Sequence, residues 1–104
     1  MARAVRKGKP TRVSEAIQGY LRRSGLTERV AQADVVLGWA DLVGERIAGH
    51  AVAESVTPDG TLFVHVRSAA WRQELSLMTP EIMARINAGR KTGRIEKIRW
   101  VHGA

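Results

Sequence analysis

Three histidines, five serines and ten carboxylates are the side chains in this 104-residue sequence that could act on a substrate or hold a metal, and there is no cysteine among them. His50, His65 and His102 fall at a predicted helix end, on a strand face and near the C-terminus, without the spacing of metal ligands. The missing cysteines exclude a thiolate zinc site and a disulfide scaffold, and fit a reducing compartment. Ser14, Ser24, Ser55, Ser68 and Ser76 lack a nucleophile-elbow motif, and no base stands beside any of them. Asp34, Asp41 and Glu45 recur at helical spacing, the pattern of a solvated face rather than of a paired general acid and base in a cleft. Gly89-x-x-x-Gly93 lacks the lysine and hydroxyl of a phosphate-binding loop. The sequence reads as a protein that is no enzyme, with no catalytic residues, no metal and no cofactor.

Charge carries more information. The net charge is +7, unevenly placed. Residues 1–27 hold seven basic residues against Glu15, and residues 82–104 hold six against Glu96, whereas the stretch between them holds four against eight acids. Basic ends around an acidic middle favour a polyanionic partner, most often nucleic acid. The expected contact is sequence-independent neutralisation of phosphates by Arg3, Arg6, Lys7, Lys9 and Arg12, helped by Arg90, Lys91, Arg94, Lys97 and Arg99. The N-terminus has no apolar stretch of the signal-peptide kind, and no run reaches the ~18 apolar residues of a membrane span. A soluble cytoplasmic protein without membrane contact or small-molecule substrate is expected.

The elements that would position these residues are organised around Gly60–Leu75. Leu62, Val64 and Val66 alternate with Thr61, Phe63, His65 and Arg67, so this strand has one apolar and one polar face. Ser68 suits a helix N-cap, and Trp71, Leu75 and Met78 at i, i+4, i+7 form a stripe able to cover the apolar row. Thr57-Pro58-Asp59-Gly60 is turn chemistry joining this strand to a preceding one over Ala51–Val56. Upstream, residues 1–11 read as a mobile basic arm and 12–104 as a single domain. A short helix is predicted from Glu15 to Arg23 with Ser14 as cap. A longer one is predicted from Glu28 to Ala48, capped by Thr27, with Gly44 as the place for a bend. Downstream, Thr79-Pro80-Glu81 reads as a capped helix start, and Ile95–Val101 as the last strand. The order predicts an α+β fold, α-α-β-β-α-α-β, with a three-stranded sheet and helices packed on one face. Lys97 and Arg99 then share the open face with Phe63, His65 and Arg67.

Trp39 and Trp71 each lie on an apolar stripe, the place of core residues. Trp71 directly follows the sheet, and so also suits the rim of a partner-binding surface, for which Phe63 and Arg67 are the further candidates.

The combination of WADLVGERIAGHA at residues 39–51, DGTLFVHV at 59–66, SAAWRQEL at 68–75 and IEKIRW at 95–100 resembles the DciA family of bacterial proteins. The resemblance covers about residues 12–102. It implies a KH-like domain and a role in replication initiation, with the DnaB-type replicative helicase as partner and its loading on DNA as the task. Two features depart from that pattern. A nucleic-acid-binding KH domain has a GXXG loop between two adjacent helices. Here that junction is Ser76-Leu77-Met78-Thr79-Pro80, without glycine, so DNA contact is expected at the basic ends instead. Many relatives also carry a long flexible extension beside the domain, and this sequence has the short arm at 1–11. Two other readings fit the same residues. One is a single-stranded RNA-binding module using Phe63 as a stacking platform, and the other is a protein adaptor whose charge serves an acidic partner.

Overall fold

The computed structural model describes residues 12–103, so the arm predicted over 1–11 lies outside the described residues. β2 (Thr61–Val66) is the central strand, with Leu62, Val64 and Val66 fully buried and Phe63 and His65 half-exposed, as the alternation required. β1 (Ala51–Val56) pairs with it antiparallel through the 57–60 turn. Ala53 faces Val64 and Ser55 faces Phe63, so Glu54 is the extra residue of a bulge. β3 (Lys97–Val101) runs parallel to β2 in the register Thr61↔Lys97, giving a mixed sheet of order β1-β2-β3. A parallel neighbour needs a crossover, supplied by α5 (Ala69–Leu77) and α6 (Thr79–Asn87). The fold is α+β and KH-like, with the helices on the apolar face of the sheet.

The remaining helices are α1 (Arg12–Ser24), α2 (Leu26–Leu37), α3 (Trp39–Val43) and α4 (Glu45–Ala48). The single helix expected over 28–48 is thus three helices. Gly44 stands at φ +95°, ψ 157°, a conformation that ends one helix and re-aims the chain into the next, and Gly38 makes the first break. The apolar stripe expected on this helix, Val36, Trp39, Ala40, Val43 and Ile47, is shifted at its start: Val35, Trp39, Val43 and Ile47 are buried in the core with Leu62, Leu75, Ile82 and Ile98, while Val36 is half-buried and Ala40 exposed. Trp39 is held further by its indole N–H, which donates to the Ala51 carbonyl at 2.9 Å.

Three expected caps take other positions. α1 begins at Arg12, which puts Ser14 inside the helix, and α2 begins at Leu26, which puts Thr27 inside it. Thr79 is the first residue of α6; its hydroxyl donates to the Ser76 carbonyl and accepts from the Trp100 indole, at 2.8 and 2.9 Å. Ser68 caps α5 as expected, accepting from the Trp71 N–H at 3.2 Å.

The last strand starts at Lys97 rather than Ile95, because the chain before it is fixed by a side chain. Asn87 donates to the Ile95 carbonyl at 2.9 Å and accepts from the Ile95 N–H at 2.8 Å, imitating a strand neighbour. Replacing Asn87 with leucine leaves both groups of a buried residue unpaired. The expected loss is about 2–3 kcal/mol of unfolding free energy, read from a urea titration. A loss below about 0.5 kcal/mol would mean that water replaces the clamp at no cost.

Candidate nucleic-acid and partner interfaces

The end of the sheet near the 57–60 turn gathers cations from three separate segments. α2 is tied to the turn by Arg29, which donates to the Val56 carbonyl at 3.0 Å, and by buried Gln32, which donates to the Pro58 carbonyl at 3.3 Å. The 90–94 loop docks on the same helix: Arg90 donates to the Ala31 carbonyl at 3.3 Å, and Gly93 lies against Ala31 and Gln32. The loop then enters β3, where Glu96 and Lys97 both donate to the Gly60 carbonyl. Arg29, Arg90, Lys91, Arg94, Lys97 and Arg99 are thereby brought around one end of the sheet.

These cations are not equivalent. Arg90 is half-buried and also donates to the Ile86 carbonyl at 3.2 Å, so it fastens the loop between α6 and α2. Arg94 is exposed and donates to the Arg90 carbonyl at 2.9 Å and the Asn87 carbonyl at 3.4 Å. Lys91, Lys97 and Arg99 are exposed, and among the described residues no hydrogen bond or ion pair engages their side chains. Arg29 is the member that charge counting along the chain missed, since it falls in the acidic middle of the sequence. Arg3, Arg6, Lys7 and Lys9 lie outside the described residues, and Arg12 opens α1.

The open face of the sheet has three rows: Thr61 beside Lys97, then Ser55–Phe63–Arg99, then Val52–His65–Val101. Phe63 is half-exposed and lines a shallow depression with Lys97 and Arg99, a ring flanked by two cations. Asp59 lies at the edge of this depression. The Thr57 hydroxyl and then Thr61 bond its carboxylate and hold its pKa below the usual carboxylate value, so it stays ionised at neutral pH. His65 Nε2 lies 3.1 Å from the Gly103 carbonyl, which holds the C-terminal residues against β2. Arg67 follows β2 and is exposed.

Trp71 belongs to a different surface. It is half-buried against the core from the helical side, and the His50 ring stacks on its indole with centroids 3.9 Å apart and planes 14° from parallel. The candidate partner-binding residues therefore separate: Phe63 stands on the open sheet face, Arg67 just past the end of β2, and Trp71 on a groove between α4 and the α5–α6 pair. That groove has a volume of about 570 Å³. Among the described residues there is no group of three or more His, Asp or Glu side chains placed to hold a metal ion, and no helix long and apolar enough to cross a membrane. The α5–α6 junction is Met78 alone, too short for a GXXG clamp.

A family model described as "Dna[CI] antecedent, DciA" matches residues 12–100, from the start of α1 into the last strand. The chain belongs to the DciA family. Curated relatives carry the name UPF0232 protein. One from Mycolicibacterium paratuberculosis is 30% identical over 90 residues, covering 86% of this chain and 49% of its own. Another from Streptomyces avermitilis is 32% identical over 97 residues, covering 90% and 54%. A third, from Rhodococcus jostii, is 33% identical over 78 residues, covering 75% and 41%. The chain spans about half the length of the curated relatives it matches.

Proposed function

We propose that this DciA-family chain is a non-enzymatic, cytoplasmic accessory of DNA replication that binds the DnaB-type replicative helicase and assists its loading or activity. It contacts DNA without sequence preference. The observation that carries the reading is the family match over residues 12–100. The cations gathered around one end of the sheet support the DNA contact, because unpaired lysine and arginine on one surface are the electrostatic footprint of phosphate binding. The test has two arms. The purified, nuclease-treated chain should co-elute with the purified helicase on size exclusion, and separate elution removes the helicase from the reading. With about six phosphates neutralised, DNA affinity should fall roughly a thousandfold between 50 and 200 mM salt, and a slope near zero rejects the electrostatic contact.

A second reading is favoured by one observation, the half-exposed ring of Phe63 beside Arg99. As a single-stranded RNA module, the open face would stack a base on that ring at ~1–3 kcal/mol. Phe63→Ala would then weaken a single-stranded RNA oligomer by about fivefold to a hundredfold, with RNA preferred over DNA of equal sequence. Under the helicase reading, Phe63→Ala leaves duplex DNA affinity within about twofold, because phosphate contacts dominate it.

A further inference from the structure

The groove beside Trp71 has a floor, walls and a rim of different chemistry. Val43, Ile47 and Ile82 make a buried apolar floor, and half-exposed Trp71 and Met78 stand beside it. The rim carries the exposed carboxylates of Glu45, Glu74 and Glu81, and among the described residues no ion pair or hydrogen bond engages any of the three. Two arginines also line it. Arg85 donates to the Val43 carbonyl at 2.7 Å, which ties it to the end of α3; it and Arg46 are both exposed and charged, so the rim holds three carboxylates against two guanidiniums. In a chain of net charge +7 this is an acidic rim around an apolar floor. Trp39 and Trp100 have their indole N–H groups bonded, to Ala51 and to Thr79, whereas the Trp71 indole has no such partner among the described residues.

We infer that this groove docks a basic amphipathic helix of a protein partner, with apolar side chains at i, i+4 against the floor and arginine or lysine flanks meeting Glu45, Glu74 and Glu81. A helix-in-groove mode needs an apolar trough, and the excess of carboxylates over guanidiniums on the rim sets the sign of the flanking charge. The two interfaces of the chain are therefore of opposite sign: cations at the turn end of the sheet and carboxylates at the α4–α6 groove. The inference rests on the reading that the chain docks on a protein, and names the chemistry of the segment that it takes.

The probe is a helical peptide of about 15 residues with leucine at i, i+4 and i+7 and arginine flanks, compared with its glutamate-flanked counterpart. Binding to the full chain is followed through the Trp71 indole N–H resonance and the Met78 and Ile82 methyls. The arginine peptide should shift these signals and bind at least about tenfold tighter than the glutamate peptide at low salt. The triple variant Glu45→Gln, Glu74→Gln, Glu81→Gln changes only exposed positions and should weaken the arginine peptide by about tenfold, while Trp71→Leu should abolish its binding. Equal affinity for the two peptides, shifts confined to the open sheet face, or an unaltered affinity in the triple variant would each overturn the inference. Concentration-dependent shifts of the same signals without peptide would do so too, by making a second copy of this chain the occupant. Helicase co-elution measured in parallel reports separately on the function proposed above.

Discussion

Replacing Gly93 with alanine should destabilise the protein by about 3 kcal/mol, one of the largest effects available to a single added methyl. Two causes act together. Gly93 stands at φ +67°, where an L side chain costs roughly 1–2 kcal/mol. A Cβ there would also lie 2.5 Å from the Ala31 Cβ, 2.7 Å from the Ala31 carbonyl carbon and 2.8 Å from the Gln32 nitrogen. Two of those atoms are helix backbone and cannot yield as a side-chain tip would, so the loop must lift from α2 and release the Arg90 bond to Ala31. Gly89 is the internal control. It has nearly the same φ, +69°, but nothing within 4 Å of its ideal Cβ. Gly89→Ala should therefore show the backbone cost alone, and the difference in urea midpoint between the variants isolates the contact with α2. Equal losses in the two variants would mean that the loop does not sit on α2. The cations that it carries would then not be gathered.

That contact also marks how far the fold was legible in the sequence. Strand β2 was readable because its alternation is local and has one periodicity, and the Thr57–Gly60 turn and the Ser68 cap were readable for the same reason. The helix broken at Gly38 and Gly44 was not. Val35, Trp39, Val43 and Ile47 keep a helical spacing that reports which residues face the core, and the pattern stays continuous while the backbone turns between segments. Thr79 has the position and residue type of a cap, but the Trp100 indole reaches its hydroxyl from a strand 21 residues away. Asn87 carries no signal at all in the sequence, since an asparagine that imitates a strand neighbour looks like any helix-end asparagine. The candidate site was legible in composition and not in grouping. Lys97 and Arg99 fell on the open face as the alternation required, yet Arg29 joined them only through the tertiary bonds of α2 to the turn. Trp71 parted from Phe63 because helix α5 and the open face lie on opposite sides of the sheet.

Charge removal at the turn end should divide the cations into two kinds. Lys97→Gln with Arg99→Gln removes two exposed charges whose side chains have no partner within the described residues, so stability should change by less than about 0.5 kcal/mol. DNA affinity should fall uniformly across sequences, and the slope of log K against log salt should drop by about two, near one for each phosphate contact. The gap between the parent and this double variant should then narrow by about tenfold between 50 and 200 mM salt, because fewer counterions remain to be released. Arg90→Gln should behave in the opposite way. Its guanidinium bridges the Ile86 and Ala31 carbonyls, so its loss should cost about 1–3 kcal/mol of stability. Its effect on the salt slope should stay below one, since a half-buried group bonded to carbonyls neutralises phosphate poorly. An unchanged slope in the Lys97/Arg99 variant would move the DNA contact away from the open sheet face. Arg3, Arg6, Lys7, Lys9 and Arg12 would then carry it with Lys91 and Arg94, the latter two on the loop whose position Gly93 sets.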